Sequence, residues 1–349
     1  MLVIQLDSKS IVRGFSVMSL DFGEGVDRVK IRVLTENTTD ITLKTDERFK
    51  DKVQQPGPST VMCWAEHGLA MLFEVTSGDS THTFLLDAGG PLGSVSNNMK
   101  ALQIDPSKIE KFILSHGHFD HFGGLNHIIN QFSPGTEIIV AKNAFLPKYA
   151  LMGELLGESI ELDREKFEQL QKENKIRQLP GLNKELFNEQ IKNNNLKLIE
   201  TNEPIELASG VWTSGEIETP MKDELSTGLY VQKNGEIVFD DFRDEISIFI
   251  NVKNKGLVIL TGCGHTGIIN TVKMAQKLSG IGKVYALIGG YHMNWASKER
   301  IDRTIKFLKE LNPEILCAMH CSGFNFTARL MNEIPESSVL GIVGTTFTL

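Results

Sequence analysis

The sequence predicts an α/β protein in which two sheets pack face to face with helices on their outer sides, an αββα sandwich. The order of the segments leads to this prediction: strands come first, then one strand–helix unit, then more strands, then three strand–helix units in succession. A sheet alternating with helices along its whole length fits this order less well. With 349 residues and 41% hydrophobic content, the chain can bury a large core.

The composition excludes several kinds of partner. The formal net charge is −8, so the sequence has no basic character of the kind that binds nucleic acid. It shows no secretory signal and no apolar run long enough to span a membrane. Four cysteines are too few for a disulfide framework. We therefore expect a cytoplasmic protein with reduced thiols and a small-molecule substrate, and we leave a homo-oligomer open.

The first quarter of the chain predicts an extension followed by a sheet. We expect residues 1–27 to form a short N-terminal extension and residues 28–349 to form one domain. Alternation of apolar and polar residues predicts a strand over 29–38. The segments 69–75 and 81–87 predict two more strands, joined as a hairpin by the Gly-containing connection TSGDS.

The middle of the chain predicts a strand–turn–helix unit and then an insertion. The apolar run IEKFILS ends before His116, and the residues after the next histidines show helical spacing of apolar side chains from Leu125 to Phe132. Residues 145–200 are rich in Glu, Lys, Asn and Leu and predict a mostly helical insertion. Such charged segments usually form a solvated face, but this one is long enough for a lid or an oligomerisation arm.

The last third returns to strands and closes with three strand–helix units. Strands are predicted after residue 203, including a hairpin that turns at Asn-Gly. Each of three later apolar runs ends in small residues and a histidine, and each leads into a predicted helix, near 267–278, 298–311 and 324–333. The final segment, VLGIVGTTFTL, predicts one more strand.

The segment SHGHFDHFGG, residues 115–124, contains the pattern H-x-H-x-D-H, formed by His116, His118, Asp120 and His121. Neutral imidazole and carboxylate groups are ligands for zinc, iron and manganese. His116 and His118 lie two apart in an extended segment and point to the same side. Asp120 and His121 lie where the chain turns and can face a second ion. The spacing predicts a metal site.

Three more histidines follow apolar runs, so we expect them at the same edge of the sheet. His320 in AMHCSG and His265 in TGCGHTG are predicted metal ligands. Three roles remain open for His292 in GGYHM: metal ligand, substrate contact or hydrogen-bonded core histidine. Cys263 is open between metal ligand and small buried hydrophobic residue.

Other polar residues near strand ends are candidates for supporting roles. Asp87, which ends FLLD, could ligate a metal, hold the free N–H of a ligating histidine or cap a turn. Glu66 and His67 precede a strand and could reach the substrate. His82 lies in a predicted hairpin strand and His127 on a predicted helix, and we interpret both as structural.

These residues give the sequence its resemblance to the metallo-β-lactamase superfamily. SHGHFDHFGGL matches the superfamily's H-x-H-x-D-H signature, and the resemblance covers about residues 60–349. Within the superfamily, the sequence resembles proteins similar to 7,8-dihydropterin-6-methyl-4-(β-D-ribofuranosyl)aminobenzene-5′-phosphate synthase. The motifs that carry this closer resemblance are AEHGLAMLFE, LLDAGG, the Asp-Asp pair at 240 and 241, GLVILTGCGHTGIINTV, IGGYHM and MHCSGF.

The resemblance implies the αββα fold and one or two divalent metal ions, zinc first and iron or manganese as alternatives. The sequence departs from many superfamily hydrolases at two ligand positions. No histidine occurs between 127 and 265, and Cys263 occupies the apparent position of a metal-bridging aspartate. His265 can stand in for the missing ligand. One strong metal position with a weaker second one is therefore an alternative to a two-metal centre.

The resemblance and the residues together imply a metal-dependent enzyme. In the first hypothesis it is a hydrolase of a small phosphate-, ester- or pterin-type substrate. A metal-activated water would attack, Asp120 would orient or deprotonate it, and His292 or His67 would act on the leaving group. Tyr291 could stack on an aromatic substrate or, as an aromatic residue near a strand end, belong to the core. The alternatives are a pterin and phosphoribosyl condensing enzyme that uses the metal as a Lewis acid, redox chemistry at iron, and a non-catalytic metal-binding module.

Overall fold

The computed structural model describes residues 19–57 and 61–349. Most of the predicted extension, residues 1–18, lies outside the described residues. The helices, numbered in chain order, are α1 Ser94–Ala101, α2 Phe119–Phe122, α3 Arg164–Lys172, α4 Lys184–Asn193, α5 Ile268–Ser279, α6 Lys298–Leu311 and α7 Phe324–Glu333. The strands are β1 Arg28–Thr35, β2 Val53–Gln54, β3 Ala70–Ser77, β4 Ser80–Leu86, β5 Lys111–Ile113, β6 Glu137–Val140, β7 Lys148–Leu151, β8 Ile176–Gln178, β9 Lys197–Glu200, β10 Glu206–Ala208, β11 Val211–Thr213, β12 Leu229–Lys233, β13 Glu236–Phe239, β14 Ile248–Val252, β15 Gly256–Thr261, β16 Val284–Gly290, β17 Ile315–Met319 and β18 Thr346–Thr348.

Two large sheets form the centre of the molecule. The first has the strand order β2-β18-β1-β3-β4-β5-β6-β9, and the second has the order β10-β11-β14-β15-β16-β17. Strand β4 pairs in parallel with β5, β5 with β6, and β15 and β17 both pair in parallel with β16. One buried cluster joins the two sheets, because Ile31 and Phe73 of the first pack with Ile250 and Val258 of the second.

Helices cover the outer faces of both sheets. Side chains of α1 and α4, including Val95 and Phe187, share a cluster with Phe112 and other residues of the first sheet. Side chains of α5, α6 and α7, including Val272, Leu308 and Leu330, cover the second sheet. This layering confirms the predicted αββα sandwich. No helix in the described part of the chain combines the length and the apolar character needed to cross a membrane.

The predicted insertion, residues 145–200, contains both helices and strands. Helices α3 and α4 agree with the prediction and begin at the capping side chains of Asp163 and Asn183. Strands β7 and β8 were not predicted there. They form a third sheet with two later strands, in the order β13-β12-β7-β8. Because β12 lies about eighty residues after β7, the sequence near β7 gave no sign of this pairing.

The turn after β5 also differs from the prediction. Instead of one helix reaching Phe132, α2 ends at Phe122 and is followed by short 3-10 turns over Gly123–His127 and Ile129–Gln131. A Cβ on Gly124 would lie 2.0 Å from the carbonyl oxygen of Ala88. The two loops pack backbone against backbone, and this close approach holds the histidine-rich turn in place.

Candidate metal centre

Four connections meet at one edge of the sandwich, where parallel strands of both sheets end. His116, His118, Asp120 and His121 follow β5, and Cys263 and His265 follow β15. His292 follows β16, and His320 directly follows β17. Because each strand is buried and fixed by its neighbours, the polar side chains just beyond it are aimed into a common space.

The structure brings a first histidine set together around His118. Nδ1 of His118 lies 3.0 Å from Nε2 of His116 and 3.2 Å from Nε2 of His265. Ligand atoms of His116, Cys263 and His265 all lie within 4.8 Å of one another. These spacings suit imidazoles and a thiolate that share one ion.

A second histidine set lies beside the first. Nε2 of His121 is 3.1 Å from Sγ of Cys263, and both groups lie within 4.8 Å of a ring nitrogen of His320. Oδ2 of Asp120 is 3.3 Å from Nε2 of His320 and 3.9 Å from Nε2 of His121. The sulfur of Cys263 therefore lies between the two sets.

Two ring nitrogens of this centre are buried without a partner among the described residues. Nε2 of His118 and Nδ1 of His265 make no hydrogen bond, and Nε2 of His320 has only the carboxylate of Asp120 at 3.3 Å. Buried polar atoms nearly always have a partner, so two unpartnered ring nitrogens beside a thiol and a carboxylate indicate an external ligand. The donor set fits a divalent transition metal ion.

Asp87, which was a candidate for holding a ligating histidine, lies behind His121. Nδ1 of His121 donates to Oδ2 of Asp87 over 2.6 Å. The backbone N–H and the hydroxyl of Ser115 donate to the same carboxylate, each over 2.7 Å. This arrangement fixes the ring of His121 so that Nε2 faces Cys263 and Asp120.

Burial and neighbouring carboxylates determine which of these histidines are charged. It lowers the pKa of His116 and His265 well below their usual range, that of His118 to about 3 and that of His320 to about 4. Burial also opposes a charge on His121, but the carboxylates of Asp87 and Asp120 outweigh it and raise the pKa of His121 to about 9. These four rings are therefore neutral at pH 7. In the metal-free protein, both ring nitrogens of His121 are protonated and its ring is positively charged.

Because His121 is protonated in the metal-free protein, we predict that metal affinity depends on pH. An ion must displace the proton from Nε2 of His121, so this proton alone should raise affinity by up to about tenfold per pH unit as far as about pH 9. Burial raises the pKa of the Cys263 thiol well above its usual value, so ligation by Cys263 releases a further proton and affinity should keep rising above pH 9. Competition with a chromophoric chelator would measure it. Asp87→Asn removes a carboxylate that raises the pKa of His121, so its curve should lose slope at a lower pH than the wild type. The exposed variant Asp79→Asn should follow the wild type, and wild-type affinity independent of pH would contradict the prediction.

The sequence did not reveal how much the segment 240–245 contributes. Oδ2 of Asp244 accepts from the backbone N–H of Gly117 over 2.8 Å, inside the histidine-rich turn. The Glu245 carboxylate accepts from the backbone N–H of His265 over 2.7 Å. The ring of Phe242 stacks on His265 with centroids 4.5 Å apart. The acidic run FDDFRDE between two strands was the available signal.

Glu36 and Asn37 were also missed as supports of the site. Oε1 of Glu36 accepts from the backbone N–H of His320 over 2.8 Å, and Oδ1 of Asn37 lies 3.3 Å from Nδ1 of His320. Both follow β1, which is far from His320 in the chain, and nothing in the local sequence marks them.

A cavity of about 570 Å³ opens above the centre. His67, Asp120, His292 and Trp295 line it, together with apolar residues of the third sheet such as Leu229. Nε2 of His67 is 3.3 Å from Oδ2 of Asp120, and 64% of its side chain is exposed. His67 and His292 therefore lie where a substrate would contact them.

Two candidate substrate residues do not line this cavity. The carboxylate of Glu66 accepts from the backbone N–H groups of Leu92 and Ser94, at the start of α1, so it holds a helix end. Tyr291 is fully buried, and its hydroxyl donates to the carbonyl of Leu287. The structure places both side chains in the packing of the fold and away from the cavity wall.

The residues predicted to be structural lie away from the centre. Nδ1 of His82 is 2.8 Å from Oε2 of Glu110 at the surface, and Nε2 of His127 is 2.9 Å from the carbonyl oxygen of Pro91. Neither ring lines the cavity.

Comparisons with known proteins agree with this architecture. The sequence profile described as metallo-beta-lactamase superfamily matches residues 65–187. A 7,8-dihydropterin-6-methyl-4-(β-D-ribofuranosyl)-aminobenzene-5′-phosphate synthase of Methanocaldococcus jannaschii is 36% identical over 277 residues, which cover 78% of this chain and 86% of the relative. Uncharacterized protein MJ0448 of the same organism is 27% identical, over 80% of this chain and 94% of its own length.

Solved structures support the same fold. The crystal structure of Tm1679, described as a metal-dependent hydrolase of the beta-lactamase superfamily, superposes with a TM-score of 0.65 at 23% identity. The superposition covers 91% of this chain and 98% of Tm1679. At this identity the likeness concerns the fold.

Proposed function

The chain belongs to the metallo-beta-lactamase superfamily, and from this membership and the geometry of the site we propose that it is a metal-dependent enzyme acting on a small organic substrate. The observation that carries the proposal is the set of unpartnered buried ring nitrogens below a cavity of about 570 Å³. A purely structural metal site is usually closed. Here a cavity opens above the ligands, and the exposed His67 lines it.

The donor set indicates which residues would hold the ions. His116, His118 and His265 would hold one ion, and Asp120, His121 and His320 a second, with Cys263 between them. Thiolate and imidazole groups favour zinc over magnesium or calcium. When bound, such an ion supplies Lewis-acid chemistry and lowers the pKa of a bound water.

We propose that the substrate is of pterin type and that the reaction joins it to an aromatic amine. The support is the 36% identity to a synthase whose name describes a dihydropterin methyl group joined to an aminobenzene. Trp295, 47% exposed on the cavity wall, offers a face for stacking a heterocycle. The amine nitrogen would bond to the 6-methyl carbon of the pterin as the bond from that carbon to its leaving group breaks. Oδ2 of Asp120 would take the proton that the amine loses, and His67 beside it would orient that carboxylate.

Hydrolysis is a second candidate, and the charge of the cavity favours it. Glu36 and Asp120 bring carboxylates to a lining that is otherwise largely apolar. Carboxylates repel a phosphate that lies away from the metal ions. An ester or lactone without such a phosphate would fit this lining, and Asp120 would then take its proton from water.

One experiment separates the two reactions. Protein loaded with zinc would be incubated with a dihydropterin carrying a leaving group on its 6-methyl carbon, with and without an aminobenzene acceptor, and with a panel of esters and lactones. Mass analysis of the products should show the coupled compound, and removal of the metal should abolish it. Hydrolysed products alone would overturn the condensation proposal and support hydrolysis. No turnover by fully loaded protein would contradict both.

Asp120→Asn tests the proposed proton acceptor in the same assay. We expect its rate to fall by about 10²- to 10⁴-fold, the usual contribution of a general base. Because Asp120 also lies in the second set, the metal content of the variant has to be measured with the rate. A variant that keeps its metal and its rate would exclude Asp120 as the base.

A further inference from the structure

A cysteine and a histidine that belong to neither histidine set lie directly beside Cys263. His292 follows β16, and Cys321 lies in the short 3-10 turn after β17, His320–Ser322. Ligand atoms of Cys263, His292 and Cys321 all lie within 4.8 Å of one another. All three residues line the cavity, so this cluster faces the space that a substrate would occupy.

The conformation of His292 points to a ligand. Its φ angle is 45°, in the left-handed region that residues other than glycine rarely adopt. Its Nδ1 is buried and makes no hydrogen bond. Its ring packs 4.1 Å from that of His265, between centroids. A ring nitrogen of His292 lies within 4.8 Å of both thiols, and a buried Nδ1 without a partner is what a ligating histidine shows before an ion binds.

A packing role alone does not explain why residue 321 is a cysteine. Its thiol donates to the backbone carbonyl oxygen of Cys263 over 3.3 Å, which a serine hydroxyl could do better. Both cysteines are free thiols. Ligand atoms around a tetrahedral zinc lie about 3.5 Å apart, given bonds of about 2.3 Å to sulfur and 2.1 Å to nitrogen. Small side-chain rotations would bring the cluster to that spacing.

We propose that Cys263, Cys321 and His292 form a third metal position, with two sulfur ligands and one nitrogen ligand. This ligand set suits zinc or another thiophilic divalent ion. Three protein ligands leave a fourth position that opens toward the cavity, where a substrate atom can bind. The Cys263 thiolate also belongs to both neighbouring histidine sets, so all three positions would share it. The inference rests on the metal binding that is part of the proposed function.

Cobalt substitution provides the test, because each cobalt–thiolate bond adds charge-transfer absorption in the near ultraviolet. The full-length, reduced protein would be titrated with Co²⁺, following the absorption and the number of bound ions. We expect Cys321→Ser to lose about half of the thiolate absorption and one ion per chain, and Cys263→Ser to lose nearly all of the absorption. His292→Gln should keep both thiolates and bind the third ion more weakly.

Cys63→Ser is the matched control, since Cys63 lies outside every ligand cluster of the described residues. Its absorption and its ion count should equal those of the wild type. If Cys321→Ser also equals the wild type in both measurements, the third position is overturned while the histidine sets stand. If the wild type binds no Co²⁺ at all, the proposed function fails as well, so the two failures are distinguishable.

Discussion

His265→Ala is expected to weaken binding of the ion in the first histidine set by more than about 100-fold and to abolish turnover. Loss of an outer partner of a ligand already costs 10- to 100-fold, and a direct ligand contributes at least as much. Nε2 of His265 lies 3.2 Å from Nδ1 of His118, and its other ring nitrogen has no partner in the protein. Elemental analysis after dialysis should show about one ion fewer per chain.

The fold should survive this substitution. The loop that carries His265 is held by its backbone, because Glu245 accepts from the N–H groups of both His265 and Thr266. His82→Ala is a suitable control, since His82 lies at the surface and outside every ligand cluster formed by residues 19–57 and 61–349. If His265→Ala kept the full metal content, His265 would not be a required ligand, and His116, His118 and Cys263 would hold the ion without it.

His265 also shows how far the sequence alone could reach. Each predicted ligand directly follows an apolar run, and neighbouring parallel strands end at the same edge, so a common site could be inferred from the segments alone. The structure places His116, His118 and His265 together, and it places His121 and His320 together, with Cys263 within 4.8 Å of ligand atoms in both groups.

The supports of the site depend on contacts between distant parts of the chain, which local patterns do not encode. Glu36 meets His320, 284 residues later, and Asp244 meets Gly117, 127 residues earlier. The same reason explains the third sheet, whose strands β7 and β12 come together only in the folded molecule. The structure buries Tyr291, and the sequence left its role open because a residue next to a histidine does not reveal which way its ring points.

Lys148→Met is expected to lower the free energy of unfolding by about 3–5 kcal/mol, the usual cost of leaving buried charges unpaired. The Nζ of Lys148 is 2.8 Å from Oδ2 of Asp240 and 2.9 Å from Oδ1 of Asp244, and all three side chains are almost completely buried. Denaturant unfolding of the metal-free protein would measure the loss. Lys233→Met, which removes a partly exposed partner of Asp241, should change stability by less than about 1 kcal/mol.

The loss should extend to the metal site, because Asp244 also holds the backbone of Gly117 between His116 and His118. Pairing Lys148→Met with Asp240→Asn removes one of the two orphaned charges, so this double variant should recover part of the stability. An unchanged unfolding midpoint in Lys148→Met would show that water reaches the two carboxylates and that the ion pairs add little.

Acid should reduce the difference between Lys148→Met and the wild type. Burial opposes the charge on Asp244, but Lys148 and the N–H of Gly117 outweigh it and lower the pKa of that carboxyl. A lowered carboxyl pKa contributes stability above the unfolded value of about 3.9, and this stability is lost as the pH falls through the folded value. Burial raises the pKa of Asp240, so that carboxyl acts in the opposite direction and this contribution comes from Asp244 alone. The variant lacks most of it. The two unfolding free energies should therefore converge below about pH 4, and a constant difference there would assign the loss to packing of the lysine stem instead of its charge.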